Sequence, residues 1–177
     1  MARLFVAVWP PVSVVEQLAA IHRPEVAGVR WTRPDQWHVT VRFFGAVAEG
    51  EVPALRRALG DAVGEVGGTG PVTAVAGPAV RRFGRQVVQV PVGGLAGLAA
   101  SVVEATAGFG EPPEDRPFAG HLTLARARGR GTDLRPLTGA AVAGEWPVDE
   151  VTLVESRLSR EGATYEVVGR FPLGGAG

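Results

Sequence analysis

The run Trp37–Gly45, WHVTVRFFG, sets a histidine and a threonine two residues apart on an otherwise apolar, β-branched stretch. At His121–Arg126 the chain returns to the same frame as HLTLAR. In a strand, residues i and i+2 point to one face, so His38 projects with Thr40 and His121 with Thr123. The chain has 3 histidines, and two of them in one H-x-T frame are poorly explained as isolated structural groups. His22 stands outside any such frame and reads as a solvated residue near a helix end.

An offset of 83 residues separates the two frames. The same offset carries the apolar run LFVAVW (Leu4–Trp9) onto VVQVPV (Val87–Val92). It also carries a helix expected from Ser13 as N-cap, with Val14, Val15, Leu18, Ala19 and Ile21 at helical spacing, onto a Gly/Ala-rich helix at Leu95–Ala107. Each half therefore reads strand, helix, loop, H-x-T strand, a repeat of pattern with only slight side-chain identity. Between the halves, Pro53 opens a helix that GGTGP (Gly67–Pro71) is expected to break, and strands flank a turn near Arg82–Gly84. VRWTRPDQ (Val29–Gln36) reads as a loop or edge segment. After the second frame, VDEVTLVESRLS and TYEVVGRFPL alternate around the turn Arg160-Glu161-Gly162, a hairpin signal. The closing GGAG reads as a frayed tail. The expected fold is α+β with antiparallel pairing, one domain of two lobes over 1–177, related by a pseudo-twofold.

Composition narrows the function. A chain of 177 residues with 46% hydrophobic and 20% charged residues can bury a real core. No apolar run reaches the roughly 18 residues of a membrane span, and MARLFVAVWPP lacks a signal-peptide h-region. Cysteine is absent, which removes thiolate nucleophiles and Cys-based metal sites. A cytoplasmic monomer is the expectation. Net charge is zero, with 18 basic and 18 acidic residues, which argues against a tight duplex binder. All the basic residues are arginine, the side chain whose planar fork best holds phosphate.

Two imidazoles with ordinary pKa values near 6.5 can act as general base and general acid at neutral pH. Threonine hydroxyls donate hydrogen bonds to non-bridging oxygens without adding charge. This set suits a phosphodiester that must lose one proton and gain another. A zinc site would need further ligands, and no carboxylate stands beside either H-x-T. There is no G-x-S-x-G elbow, no P-loop and no G-x-G-x-x-G. No metal and no cofactor is called for.

These residues, with flanks RLFVAV, WTRPDQWHVTVRFFG, FAGHLTLAR and VESRLSREGATY, resemble the 2H phosphoesterases, specifically the RNA 2′,3′-cyclic phosphodiesterases also called 2′-5′ RNA ligases. The resemblance runs nearly end to end. It implies a bilobal α+β fold with two antiparallel sheets facing each other across a central cleft and helices outside. It further implies metal-independent hydrolysis of RNA 2′,3′-cyclic phosphate ends to 2′-phosphate, with reversible ATP-independent joining of 2′-5′ ends. His38 would be the proton donor to the departing 3′ oxygen and His121 the proton acceptor that activates water, although near-symmetry makes the two roles easy to exchange. Thr40, Thr123 and Arg126 would hold phosphate, and Phe43 would contact a base. Strict alternation instead puts Arg42 and Phe44 on the cleft face, which makes Arg42 a second candidate for RNA contact and leaves Phe43 and Arg126 dependent on a bulge.

The implied partners are RNA ends, such as tRNA halves or short oligonucleotides, or small cyclic nucleotides. A phosphodiesterase for ADP-ribose 1″,2″-cyclic phosphate and a non-catalytic nucleotide-binding module are the alternatives. Two departures stand out. Gly120 replaces the family's proline before the second histidine and is expected to loosen it. Trp37 replaces an aliphatic residue and is expected to face the core, and Trp9, Trp31 and Trp146 read as core or lobe-packing residues. Ser156 and Tyr165 read as structural, and Arg81, Arg82 and Arg85 as candidates for the cleft mouth. Of Arg126, Arg128 and Arg130, only Arg126 is read as functional.

Overall fold

A computed structural model describes residues 1–129, 131–159 and 162–174. Arg130, the Arg160-Glu161 part of the expected hairpin turn and residues 175–177 lie outside them. In chain order the elements are β1 (Ala2–Val8), α1 (Val12–Ala20), β2 (Val29–Trp31), β3 (Val39–Val47), α2 (Val52–Thr69), β4 (Thr73–Ala76), β5 (Arg81–Phe83), β6 (Val87–Gly93) and α3 (Ala96–Ala105). They continue with β7 (His121–Ala127), β8 (Gly144–Pro147), β9 (Glu150–Ser159) and β10 (Gly162–Pro172).

The strands form one antiparallel path, β10-β9-β1-β3-β7-β6-β4-β8, with β2 added to β7 and β5 to β6. The α+β class and the antiparallel pairing match the expectation. The expected two sheets are the two four-stranded halves of this path, joined between β3 and β7 by the single pair Val39–Leu122. The repeat is real at the level of pairing. β1 lies on β3 as β6 lies on β7, and the outer neighbours are β9 and β4.

The continuous apolar run of β1 follows from burial on both faces. Leu4, Val6 and Val8 enter the main core, while Phe5 and Ala7 join Val154 in a smaller cluster on the opposite face. Burying each of the larger side chains is worth about 1.5–3 kcal/mol. The helices cross between the halves. α3, which follows β6, packs on β3 and α2. α1, which follows β1, lies on the β8 side, where Gln17 both donates to the Ala143 carbonyl (2.8 Å) and accepts from its N–H (3.1 Å).

Three local readings change. α1 starts at Val12 on Pro11, whose carbonyl takes the Val14 and Val15 N–H groups at 3.0 Å, so Ser13 is inside the first turn rather than capping it. α2 is not broken at Gly67 but runs to Thr69 and ends at Gly70, in the left-handed region at φ 137°. Gly67 is there because a Cβ would run into the Leu173 carbonyl. β8, GEWP, carries too short a pattern to be read as a strand.

Candidate active site

Each histidine opens its frame in the same way. His38 Nδ1 lies 2.8 Å from the Gln36 carbonyl oxygen, and His121 Nδ1 lies 2.8 Å from that of Ala119. A carbonyl oxygen only accepts, so each Nδ1 carries the hydrogen and each Nε2 is left for the cleft. His38 Nε2 sits 3.1 Å from Thr40 Oγ1. A cleft of about 460 Å³ is lined by His38, Thr40, Phe43, His121, Thr123 and Arg126 together. The pair predicted from the two H-x-T frames thus meets in one cavity.

The conflict over alternation is resolved by two matching bulges. On β3, Ala7 pairs with Thr40 and Val6 with Arg42, leaving Val41 as the extra residue. On β7, Gln89 pairs with Thr123 and Val88 with Ala125, leaving Leu124 extra. Each bulge follows its threonine directly and shifts the phase by one. The residue three after each threonine, Phe43 and Arg126, therefore turns into the cleft.

The same shift removes Arg42. Expected on the cleft face by strict alternation, it is 4% exposed and is absent from the lining of the cleft that holds both histidines; it lines an adjoining pocket with Thr40 and His121, and its Nη2 donates to the Glu111 carbonyl at 2.9 Å. Its other support is the Phe44 ring, 5.1 Å from the guanidinium carbon, and burial lowers its pKa. It holds the 109–111 backbone and is not a cleft ligand.

The two imidazoles sit in unlike surroundings. Phe5 stacks on His38 at 4.7 Å between centroids, Tyr165 meets it edge-on at 5.1 Å and Trp9 lies at 5.4 Å. His121 has one ring against it, Phe83, stacked at 4.6 Å. Burial pushes the His38 pKa down to about 4 against the opposing pull of the Gln36 hydrogen bond, and the charges of Arg126 and His121 push the same way. Burial also raises the Tyr165 hydroxyl. His38 is therefore neutral at pH 7.

Several neighbours were hidden in the sequence. Tyr165 and Ser156, read as structural, both line the cleft, as do Arg3, Phe5 and Trp31. Trp9, read as a core or lobe-packing residue, packs against the Phe5, Ala7 and Val154 cluster beside His38, with its Nε1–H donating to Thr152 Oγ1 at 2.8 Å. From the segment around Arg82 it is Phe83, not Arg81, Arg82 or Arg85, that reaches a catalytic candidate. Trp37 and Trp146 are buried as expected. Gly120 lies close against β6. Its carbonyl accepts from Val92 N–H at 2.8 Å, and a Cβ would strike the Val92 carbonyl, so the strand lies too close for any side chain there. Among the described residues no cluster of three or more His, Cys, Asp or Glu side chains could hold a metal ion.

The LigT-like phosphoesterase family model matches residues 8–67. An RNA 2′,3′-cyclic phosphodiesterase of Thermus thermophilus is 31% identical to this chain over 188 residues, covering 98% of this chain and 91% of the relative. The chain belongs to the LigT-like phosphoesterases. A crystal structure of a Thermus thermophilus protein superposes with a TM-score of 0.80 at 28% identity, covering 97% of either chain. Escherichia coli LigT, in complex with 3′-AMP, matches at a TM-score of 0.73 and 25% identity, over 98% of this chain and 99% of that one. The LigT-like fold thus spans the whole domain, not the matched segment alone. No described helix is long and apolar enough to cross a membrane.

Proposed function

We propose that this phosphoesterase hydrolyses RNA 2′,3′-cyclic phosphate ends to 2′-phosphates by metal-independent acid–base catalysis. The observation that carries the reading is the duplicated tautomer lock, which leaves two Nε2 atoms and two threonines on one cleft. Family membership and the Thermus relative, an RNA 2′,3′-cyclic phosphodiesterase, supply the substrate class.

In this reading the Thr40 and Thr123 hydroxyls donate to the non-bridging oxygens of the cyclic phosphate, and Arg126 takes its charge in a fork. His121 Nε2 accepts a proton from water as the water oxygen attacks phosphorus. The P–O3′ bond breaks on the opposite side, and His38 Nε2 gives its proton to the departing 3′ oxygen. The phosphate remains on the 2′ oxygen, and the two histidines end with their protons exchanged.

A donor whose pKa is about 4 needs help to be loaded at neutral pH. The bound phosphodiester provides it. Its negative charge beside Nε2 favours imidazolium and offsets the charge of Arg126. Replacing water by the 5′ hydroxyl of a second RNA end gives ATP-independent 2′-5′ joining through the same proton steps, with one phosphodiester exchanged for another.

The test is release of 2′-phosphate from a short oligonucleotide ending in 2′,3′-cyclic phosphate, in excess EDTA. Wild type should turn over, and His38→Ala and His121→Ala should each lose about 10²–10⁴-fold. Full activity in either variant, or loss of wild-type activity in EDTA, would refute the mechanism.

A further inference from the structure

A hydrogen bond fixes a point and a stacked ring fixes a plane, and His121 has one of each. Its Nδ1 donates to the Ala119 carbonyl at 2.8 Å, which by itself leaves the imidazole free to pivot about that bond. The pivot is closed by Phe83, whose ring lies 4.6 Å away between centroids at an interplanar angle of 19°. His38 does not depend on one neighbour in this way, since Phe5, Trp9 and Tyr165 all lie against it.

A whole element serves this contact. β5 is 3 residues long, pairs only with β6 among the described strands, and ends on Phe83. Gly84 follows in the left-handed region at φ 61°, a conformation that glycine adopts without strain, and the chain turns back into β6. Phe83 is half-buried, yet it belongs to neither apolar core cluster of the described residues. Its place is therefore not explained by filling the core. The 111–118 loop meets it as well, with the Arg116 guanidinium carbon 5.3 Å from the ring centroid and Arg116 ion-paired to Glu114. Phe83, Arg116 and His121 line one pocket beside the main cleft.

We infer that Phe83 is a positioning residue for the general base: its ring holds the His121 imidazole in the plane that aims Nε2 at the attacking water. Displacing a reacting group by about 1 Å can cost about 10²-fold in rate. The loss falls on the chemical step and not on substrate affinity, because Phe83 touches neither the phosphate nor the water and acts only through His121. The inference rests on the cyclic phosphodiesterase reading and adds a residue to its base side.

The test follows hydrolysis of adenosine 2′,3′-cyclic phosphate. Phe83→Leu, which keeps an apolar side chain and loses the plane, should lower kcat about 10–100-fold and leave KM within about twofold. Phe83→Tyr restores the plane and should return kcat to within about threefold of wild type. In a His121→Ala background, Phe83→Leu should cost nothing further, because the two residues act as a unit. Full kcat in Phe83→Leu, a loss confined to KM, no recovery with tyrosine, or a further loss in the His121→Ala background would each overturn the inference. Wild type that hydrolyses nothing would instead sink the phosphodiesterase reading. The stack is then read without turnover from the His121 Cδ2–H proton resonance, shifted by the ring current in wild type and Phe83→Tyr and released in Phe83→Leu. A resonance that stays in place in Phe83→Leu would overturn the positioning role.

Discussion

His38 and His121 each donate Nδ1–H to the carbonyl two residues back, at the same 2.8 Å, yet three rings enclose the first and one covers the second. The repeated part is backbone geometry, which fixes a tautomer and aims Nε2. The part that differs is what each half packs around that geometry. The first half surrounds its frame with Phe5, Tyr165, Trp9 and Phe43, and the second sets Arg126 beside its own. The same strand–bulge design thus carries two different linings.

The equivalent positions three after each threonine give the strongest test of that division. Arg126→Gln should lower kcat/KM by about 10–100-fold, the worth of a hydrogen-bonded charge, whereas Phe43→Leu should cost about fivefold and act on KM. Steady-state kinetics on one cyclic phosphate substrate decides it. Equal losses would erase the distinction between the halves.

The residues preceding each histidine come next. Gly120→Ala must displace the Val92 carbonyl and should destabilise the fold by about 1–3 kcal/mol, read by urea denaturation. A neutral result would mean that β6 and β7 can part beneath His121.

The pH profile separates the two imidazoles without any loss of fold. kcat/KM reports the free enzyme and kcat the complex. With His38 as donor, kcat/KM should fall as pH rises above about 4, while the corresponding fall in kcat moves to higher pH because the bound phosphate loads the proton. With His38 as base, kcat/KM would instead rise through about 4 to a plateau. Phe5→Leu thins the cover over His38 and should move that limb upward, and Phe83→Leu should not move it.

The His38 imidazole also couples pH to stability. The His38 pKa is about 4 folded and about 6.5 unfolded, so the unfolded chain binds the extra proton between them. Stability is full above about pH 6.5 and is lost as pH falls through about 4. His38→Gln should flatten the acid side of a plot of Tm against pH.

Much of this was legible because the chemistry sits on strands. The i, i+2 rule placed His38 with Thr40 and His121 with Thr123 directly, and the 83-residue offset exposed the repeat. Phe43 and Arg126 were legible only as positions in a resemblance, since a bulge at Val41 or Leu124 leaves no mark in residue type. Arg42 misled for the same reason, as a polar residue in phase with a histidine until one extra residue breaks the count. Tyr165 and Phe83 were out of reach because nothing local ties them to the histidines they touch. Tyr165 arrives through the pairing of β10 on β9 and of β9 on β1, and Phe83 through β5 on β6. The close approach at Gly120 was out of reach because it lies across the sheet, at the Val92 carbonyl.

The crossed helices carry one more meaning. α1 is attached to the first half and lies against the β8 side of the second, while α3 does the reverse by packing on β3. A single strand–helix–strand unit, set free, would therefore have its own sheet bare and its helix with nowhere to lie. Two such units would complete each other by trading helices, much as swapped subunits do.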